Sequence, residues 1–172
     1  MKRKPYPSDL TDEQWALLEP LLPDAKPGGH PRTTNLREAL NALFYLMREG
    51  CSWRAIPHDF GIPWRTIYNY YRAWTADGTW ERLVAALRIR ARRAAGRDPE
   101  PHTGYIDSQS VKTALGGAAR GYDPAKKVQG RKRHIVVDSL GLLLAVLVTG
   151  AEVDDARAAQ EVFAALPGRD YP

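Results

Sequence analysis

Residues 96–107 read Gly96-Arg-Asp-Pro-Glu-Pro-His-Thr-Gly-Tyr-Ile-Asp107, and the hydrophobic pattern changes period across them. Before this stretch apolar residues recur at three- and four-residue spacing, the signature of helices with one buried stripe. Beyond it come β-branched runs, His134-Ile-Val-Val-Asp138 and Leu142-Leu-Leu-Ala-Val-Leu-Val-Thr149, set around Ser139-Leu-Gly141. Two such runs about a glycine turn predict a hairpin. The proline- and glycine-bearing stretch divides helices from strands, so the expected class is α+β. Residues 1–96 form an all-α domain, 97–103 a linker and 104–172 a strand-containing domain of order β-β-β-α.

Working back from the divide, a helix over 79–95 carries Trp80, Leu83, Leu87 and Ile89, with Arg88, Arg90, Arg92, Arg93 and Arg97 on and beyond its other face. Trp64 to Trp74 predicts another helix, preceded by a short one at Ser52-Trp-Arg-Ala-Ile56. Asn35 is placed to cap a helix with Leu36, Leu40, Leu43, Phe44 and Met47 on one face, ended by Gly50. Thr11 and Gln14 have the spacing of a capping box ahead of Trp15, Leu18, Leu21 and Leu22, a helix expected to run to Pro23. The segment Lys26-Pro-Gly-Gly-His-Pro-Arg-Thr-Thr-Asn35 is a turn-rich linker. Short helices joined by tight turns suggest a helix-turn-helix bundle.

Working forward, Gly104-Tyr-Ile-Asp107 predicts a short strand, and a long loop is expected from about Thr113 to Gly130. Asp154 or Asp155 then caps a helix on which Ala159, Val162, Phe163 and Leu166 face inward.

Composition narrows the function classes. The 172 residues are 44% hydrophobic and 26% charged, with a formal net charge of +5. Such a chain can bury real cores, and its basic balance is compatible with nucleic acid. One cysteine, Cys51, excludes an internal disulfide framework, and with four scattered histidines it leaves no structural zinc pattern. No apolar run has the length of a signal peptide or a membrane span, so a cytoplasmic protein without membrane partner or small-molecule substrate is expected.

Three groups of residues could carry chemistry. On the helix from Trp64, Arg65, Thr66, Asn69 and Arg72 supply donors for base edges and phosphates, and Arg65, Asn69 and Arg72 share a face by their spacing. Ile67, Tyr71 and Trp74 would form the buried side. An ordinary amphipathic helix with a solvated polar face reads the same way. The run Lys126, Lys127, Arg131, Lys132, Arg133 and His134 concentrates cations that a polyanion would neutralise. Gly116 to Gly121 has the glycine spacing of a phosphate loop, but Tyr122-Asp123 stands where Lys-Ser/Thr is required, so nucleotide binding is excluded.

Asp107 is the third. A carboxylate leaving a core at a strand end can ligate magnesium, or it can cap the turn at Ser108-Gln-Ser110. Asp123, Asp138, Asp154 and Asp155 each have a sufficient local role at a turn or helix start.

Six stretches in order carry a family resemblance. They are Tyr6-Pro-Ser-Asp-Leu-Thr-Asp-Glu-Gln-Trp15, Pro27-Gly-Gly-His-Pro-Arg32, Gly50-Cys-Ser-Trp-Arg-Ala-Ile-Pro57, Asp77-Gly-Thr-Trp-Glu81, Ile106-Asp-Ser-Gln-Ser-Val-Lys-Thr113 and Gly130-Arg-Lys-Arg-His-Ile-Val-Val-Asp138. With them the chain resembles the N-terminal part of transposases of the IS5 family, within the IS4/IS5-like group of bacterial insertion sequences. The resemblance implies a helical region that binds the element's terminal inverted repeats, followed by an RNase H-like DDE core. It implies that Asp107 is the first catalytic carboxylate and a ligand of Mg2+ in metal-dependent cleavage and strand transfer. The family's second aspartate and its glutamate lie on later elements that are expected beyond Pro172, Asp170-Tyr171 falling in the preceding loop. On that expectation the core is truncated and the chain is inactive alone. It would act in a homo-oligomer or with a full-length transposase; the alternatives are a DNA-binding regulator of transposition or an inactive remnant.

Overall fold

The computed structural model describes residues 3–25, 28, 31–113, 119–164 and 166. Pro27, Gly29 and His30 of the linker motif, residues 116–118 of the Gly116–Gly121 segment and Asp170-Tyr171 lie outside the described residues. The fold is α+β, with helices first and a four-stranded antiparallel sheet after them. The chain forms two compact units, residues 1–87 and 88–172.

The first unit opens with α1 (Asp12–Leu18), started by the capping box the sequence predicts. The Gln14 N–H donates to the Thr11 hydroxyl and the Thr11 N–H to the Gln14 side-chain carbonyl, at 3.2 and 2.9 Å. The α-helix stops at Leu18 rather than at Pro23, and Glu19–Leu21 tightens into a single 3-10 turn. Pro20, which has no N–H and crowds the preceding turn, ends the i→i−4 ladder there. Helix α2 (Leu36–Glu49) is capped by Asn35 and ended by Gly50 at φ +62°. Its Leu40 and Leu43 enter the core, whereas Met47, expected on the same face, is 59% exposed.

Two 3-10 turns, Trp53–Ala55 and His58–Phe60, lead to α3 (Trp64–Ala76). Proline at 57 and 63 keeps these turns short, because the residue before a proline is pushed out of helical backbone. Helix α4 (Thr79–Ala94) follows across Asp77 and Gly78. Leu10, Leu18, Leu40, Leu43, Ile56, Phe60, Ile67, Trp74 and Leu83 form the core of this unit. Tyr71, expected inside, is 40% exposed. It lies instead between the rings of Trp53 and Trp80, with centroids 5.3 and 6.3 Å away.

In the second unit the strands are β1 (Gly104–Lys112), β2 (Gly121–Asp123), β3 (Val128–Asp138) and β4 (Leu143–Gly150), followed by α5 (Asp155–Ala164). β3 is central: β1 lines one edge from Gly104↔Asp138 to Lys112↔Gly130, and β4 and β2 share the other. β1 is therefore more than twice as long as Gly104–Asp107, and the expected long loop contains β2 and the start of β3. This length needs glycine at 130, where a Cβ would run into the Val111 carbonyl.

Asp154 caps α5 through the N–H groups of Ala156 and Arg157. Val162 and Leu166 are buried as expected, with Ala158 beside them, Ala159 is half-buried, and Phe163 is exposed rather than inward.

Candidate active site and nucleic-acid interface

A strand sends successive side chains to opposite faces, and directly paired residues share a face. The register therefore sorts the second unit's polar residues. Asp107 pairs with Ile135, which pairs with Val146; Gln109 pairs with Arg133, which pairs with Val148. These residues, with Tyr105, Arg131 and Val137, form one face. Ile106, Ser108 and Ser110 belong to the other, with Lys132, His134, Val136 and Asp138 of β3. α5 packs on β3 and β4 over this second face, burying Lys132, His134 and Val136.

Asp107 is exposed in the middle of β1, not at its end. One carboxylate oxygen accepts the Ser108 N–H at 2.8 Å. The capping alternative fails, because Ser108–Ser110 is strand rather than turn. β1 is an edge strand: among the described residues its other edge has no partner. Asp107 thus stands on a solvent-facing surface beside an open row of backbone donors and acceptors. Tyr105, Leu143 and Val146 leave the same face apolar towards one end, while Arg131 and Arg133, the latter opposite Val148, make it basic towards the other.

The six-residue cation run does not act as one patch. Lys126 and Lys127 are exposed in the turn before β3, Lys127 at φ +52°. Arg133 is exposed, and its guanidinium donates to the Gln109 side-chain carbonyl. Lys132, expected to contact DNA, points the other way and is only 7% exposed. Its ammonium donates to the Val153 carbonyl at 2.8 Å and lies 3.2 Å from Asp155 and 3.9 Å from Asp123. A cation so enclosed and so matched holds α5 on the sheet and cannot reach a duplex.

His134 is buried beside it, its Nε2 3.0 Å from the Thr149 hydroxyl. Burial pushes its pKa below the ordinary histidine value, with Lys132 acting in the same direction against Asp155. Asp123, a turn residue as expected, also accepts the Ser110 hydroxyl at 2.7 Å. That bond and the Lys126 N–H hold its carboxyl below the usual range.

One buried ion pair escapes sequence reading. Arg92 stands among the arginines placed on the polar face of its helix, yet it is buried, its guanidinium 2.5 Å from the equally buried Asp138 and donating to the Asp98 carbonyl at 2.6 Å. Burial opposes charge on Asp138, but the Leu142 N–H, Arg92 and the Leu140 N–H together keep its pKa below the usual carboxylate value. Leu83 and Arg92 lie nine residues apart, about 180° around a helix. By the stripe that Leu83 defines, Arg92 looks solvated. Arg90, Arg93 and Arg97 are exposed, and Arg88 donates to the Leu143 carbonyl at 3.1 Å.

On α3, Arg65, Asn69 and Arg72 are exposed on one side and Ile67 and Trp74 are buried on the other, with Thr66 intermediate. The side chains of these three exposed residues make no hydrogen bond or ion pair with another described residue.

An all-helical unit followed by an antiparallel sheet with a solvent-facing edge-strand carboxylate is an α+β architecture that by itself names no activity. A family model described as a transposase of the IS4/5 family matches residues 10–84, and one described as a transposase DDE domain matches residues 98–171. The chain is 32% identical over 120 residues to the uncharacterized 16.2 kDa protein of insertion element IS402 from Burkholderia cepacia, covering 67% of this chain and 80% of that protein. It is 31% identical over 78 residues to an uncharacterized protein of Sinorhizobium fredii, covering 45% of this chain and 62% of the other. No solved structure matches. The chain belongs to the IS4/IS5 family of insertion-sequence transposases.

A DDE domain implies dependence on a divalent metal. The described residues contain no group of three or more His, Cys, Asp or Glu side chains able to hold one. Asp107 is the one acid of its face on β1, β3 and β4, while Asp123 and Asp155 belong to the covered side. This donor set does not fit a two-metal centre by itself, which needs several oxygen ligands. No described helix is long and apolar enough to cross a membrane.

Proposed function

We propose that the chain recognises the terminal inverted repeats of an IS5-type element through α3 and presents Asp107 as one metal-ligating carboxylate of the DNA-cleaving centre. The observation that carries this is Asp107 itself, exposed on an edge strand whose face also bears arginine, in a domain matched by the transposase model. Arg65, Asn69 and Arg72, with Thr66 at the start of the helix, are arranged as a recognition face: phosphate contacts would position it and base-edge contacts would specify it. α2 and α3 then act as a helix-turn-helix. Lys126, Lys127, Arg131 and Arg133 add sequence-independent affinity, and Lys132 is withdrawn from this role. The second unit is an RNase H-like core in which further carboxylates join Asp107 at the open edge of β1. Mg2+ suits that oxygen-only site. Such a protein works in the cytoplasm, where the DNA is, and with a second copy or a complete transposase.

Because a single acid stands on this face among the described residues, the chain alone is expected to bind DNA and not to cut it. Gel shifts with element ends and with scrambled duplexes at moderate salt test the recognition half. Preference for the ends, lost in Arg65→Ala and Arg72→Ala, is expected; equal affinity for both duplexes defeats it. Cleavage by this chain alone in Mg2+ would defeat the catalytic half.

A further inference from the structure

The sheet places one arginine where a substrate phosphate beside Asp107 would need it. We propose that Arg133, aligned by Gln109, is a positioning residue that grips the DNA phosphodiester lying against Asp107. This rests on the reading that the open face of the sheet meets DNA, and it singles out one cation from the run.

Arg133 pairs with Gln109, and Asp107 with Ile135, so Arg133 is the diagonal neighbour of Asp107 on the same face. Diagonal neighbours in an antiparallel pair stand about 7–8 Å apart, a gap that the long arginine stem can close and a phosphate can fill. Gln109 is two residues along β1 from Asp107, and its carbonyl oxygen accepts from one guanidinium nitrogen of Arg133. A neutral amide fixes the direction of the guanidinium without cancelling its charge. Arginine carries five N–H donors, so the others remain for an oxyanion. Among the described residues neither Asp107 nor Arg133 takes part in an ion pair, although each is the nearest opposite charge of its face across the strands.

Exposed Val146 and Val148 flank the pair on β4, giving it one apolar wall. A phosphate entering here meets repulsion from Asp107, and Arg133 supplies the attraction that seats it. Lys132, the adjacent cation, faces the opposite side and cannot substitute.

The test uses the whole chain, a labelled duplex of random sequence and EDTA, so that binding is read without metal or cleavage. Arg133→Ala is expected to weaken binding about three- to tenfold and to reduce the salt slope by about one. Arg133→Lys, which keeps the charge and loses the fork, should recover part of that, and Gln109→Leu should lose about two- to threefold. Asp107→Asn should tighten binding about two- to threefold, but only while Arg133 is present, because without it the phosphate is not held beside the carboxylate.

Thermal melts of each variant separate lost contact from lost folding. Unchanged affinity in folded Arg133→Ala overturns the proposal, as does an Asp107→Asn gain that is equal with and without Arg133. If Arg65→Ala and Arg72→Ala still weaken binding in that case, only this inference falls. If they too have no effect, the DNA-binding reading falls with it.

Discussion

On β3, Lys132 and His134 are buried at 7% and 1% exposure, while Arg133 between them lies in the open beside Asp107. The covered face uses its cation to satisfy Val153, Asp155 and Asp123 and so to hold α5. The open face leaves its arginine on a neutral amide. Neighbouring cations of one charge run thus have opposite work, stability on one side and proposed phosphate contact on the other. The strand's period of two sets the division. Charge density along a sequence marks an interface only after the face of each residue is known.

The comparison can be broken most sharply at the pair that ties the end of α4 to the β3–β4 turn. Arg92→Ala strands the buried Asp138 carboxylate and is expected to destabilise the second unit by about 3–5 kcal/mol, read by denaturant melts. Melts that leave that unit unchanged would show the pair is not structural. Next comes the split within the run itself. Lys132→Ala leaves buried acceptors unmatched and should cost about 1–3 kcal/mol, whereas Arg133→Ala at the surface should stay within about 0.5 kcal/mol of the parent. Equal costs for the two would erase the distinction between faces.

Acidity sharpens the same contrast, since the shifted histidine lies on the covered side. Burial lowers the pKa of His134 in the folded chain, so the unfolded chain takes up its proton first. Its contribution is therefore complete above an unfolded value of about 6.5 and is lost as pH falls through the depressed folded value. Asp138, Asp123 and Asp155 have lowered folded pKa values and act with the same sign, from about pH 4 downward. Stability measured from neutral pH into acid should fall in these two stages, and His134→Gln should flatten the first alone. A modest effect belongs to the other unit, where Thr11→Ala removes a cap worth about 1 kcal/mol and should leave the second unit's melting unmoved.

Local signals are readable wherever a residue's role is settled by its near neighbours. The Thr11–Gln14 box, the Asn35 cap, the glycine stop at 50 and the hairpin turn at Asp138–Gly141 depend on contacts a few residues apart. The exposed trio of α3 follows from helical spacing. Helical spacing misplaces residues at the margin of a buried stripe, as with Phe163, which is exposed while Val162 and Leu166 are inside. The length of β1 is not legible in its own residues, because it depends on partners 18 to 34 residues away and on the space left by Gly130.

The sequence by itself therefore determined the α+β order and the family, since these rest on period and motif, and it singled out Asp107 as a candidate; the compact units divide at 87/88, within α4, rather than near Gly96. Only the tertiary structure decided that Asp107 lies mid-strand on an open edge, that Arg92 and Lys132 are internal, and that Arg133 shares the face of the acid. Those facts depend on strand pairing and on what covers each face, which the packing of distant segments fixes.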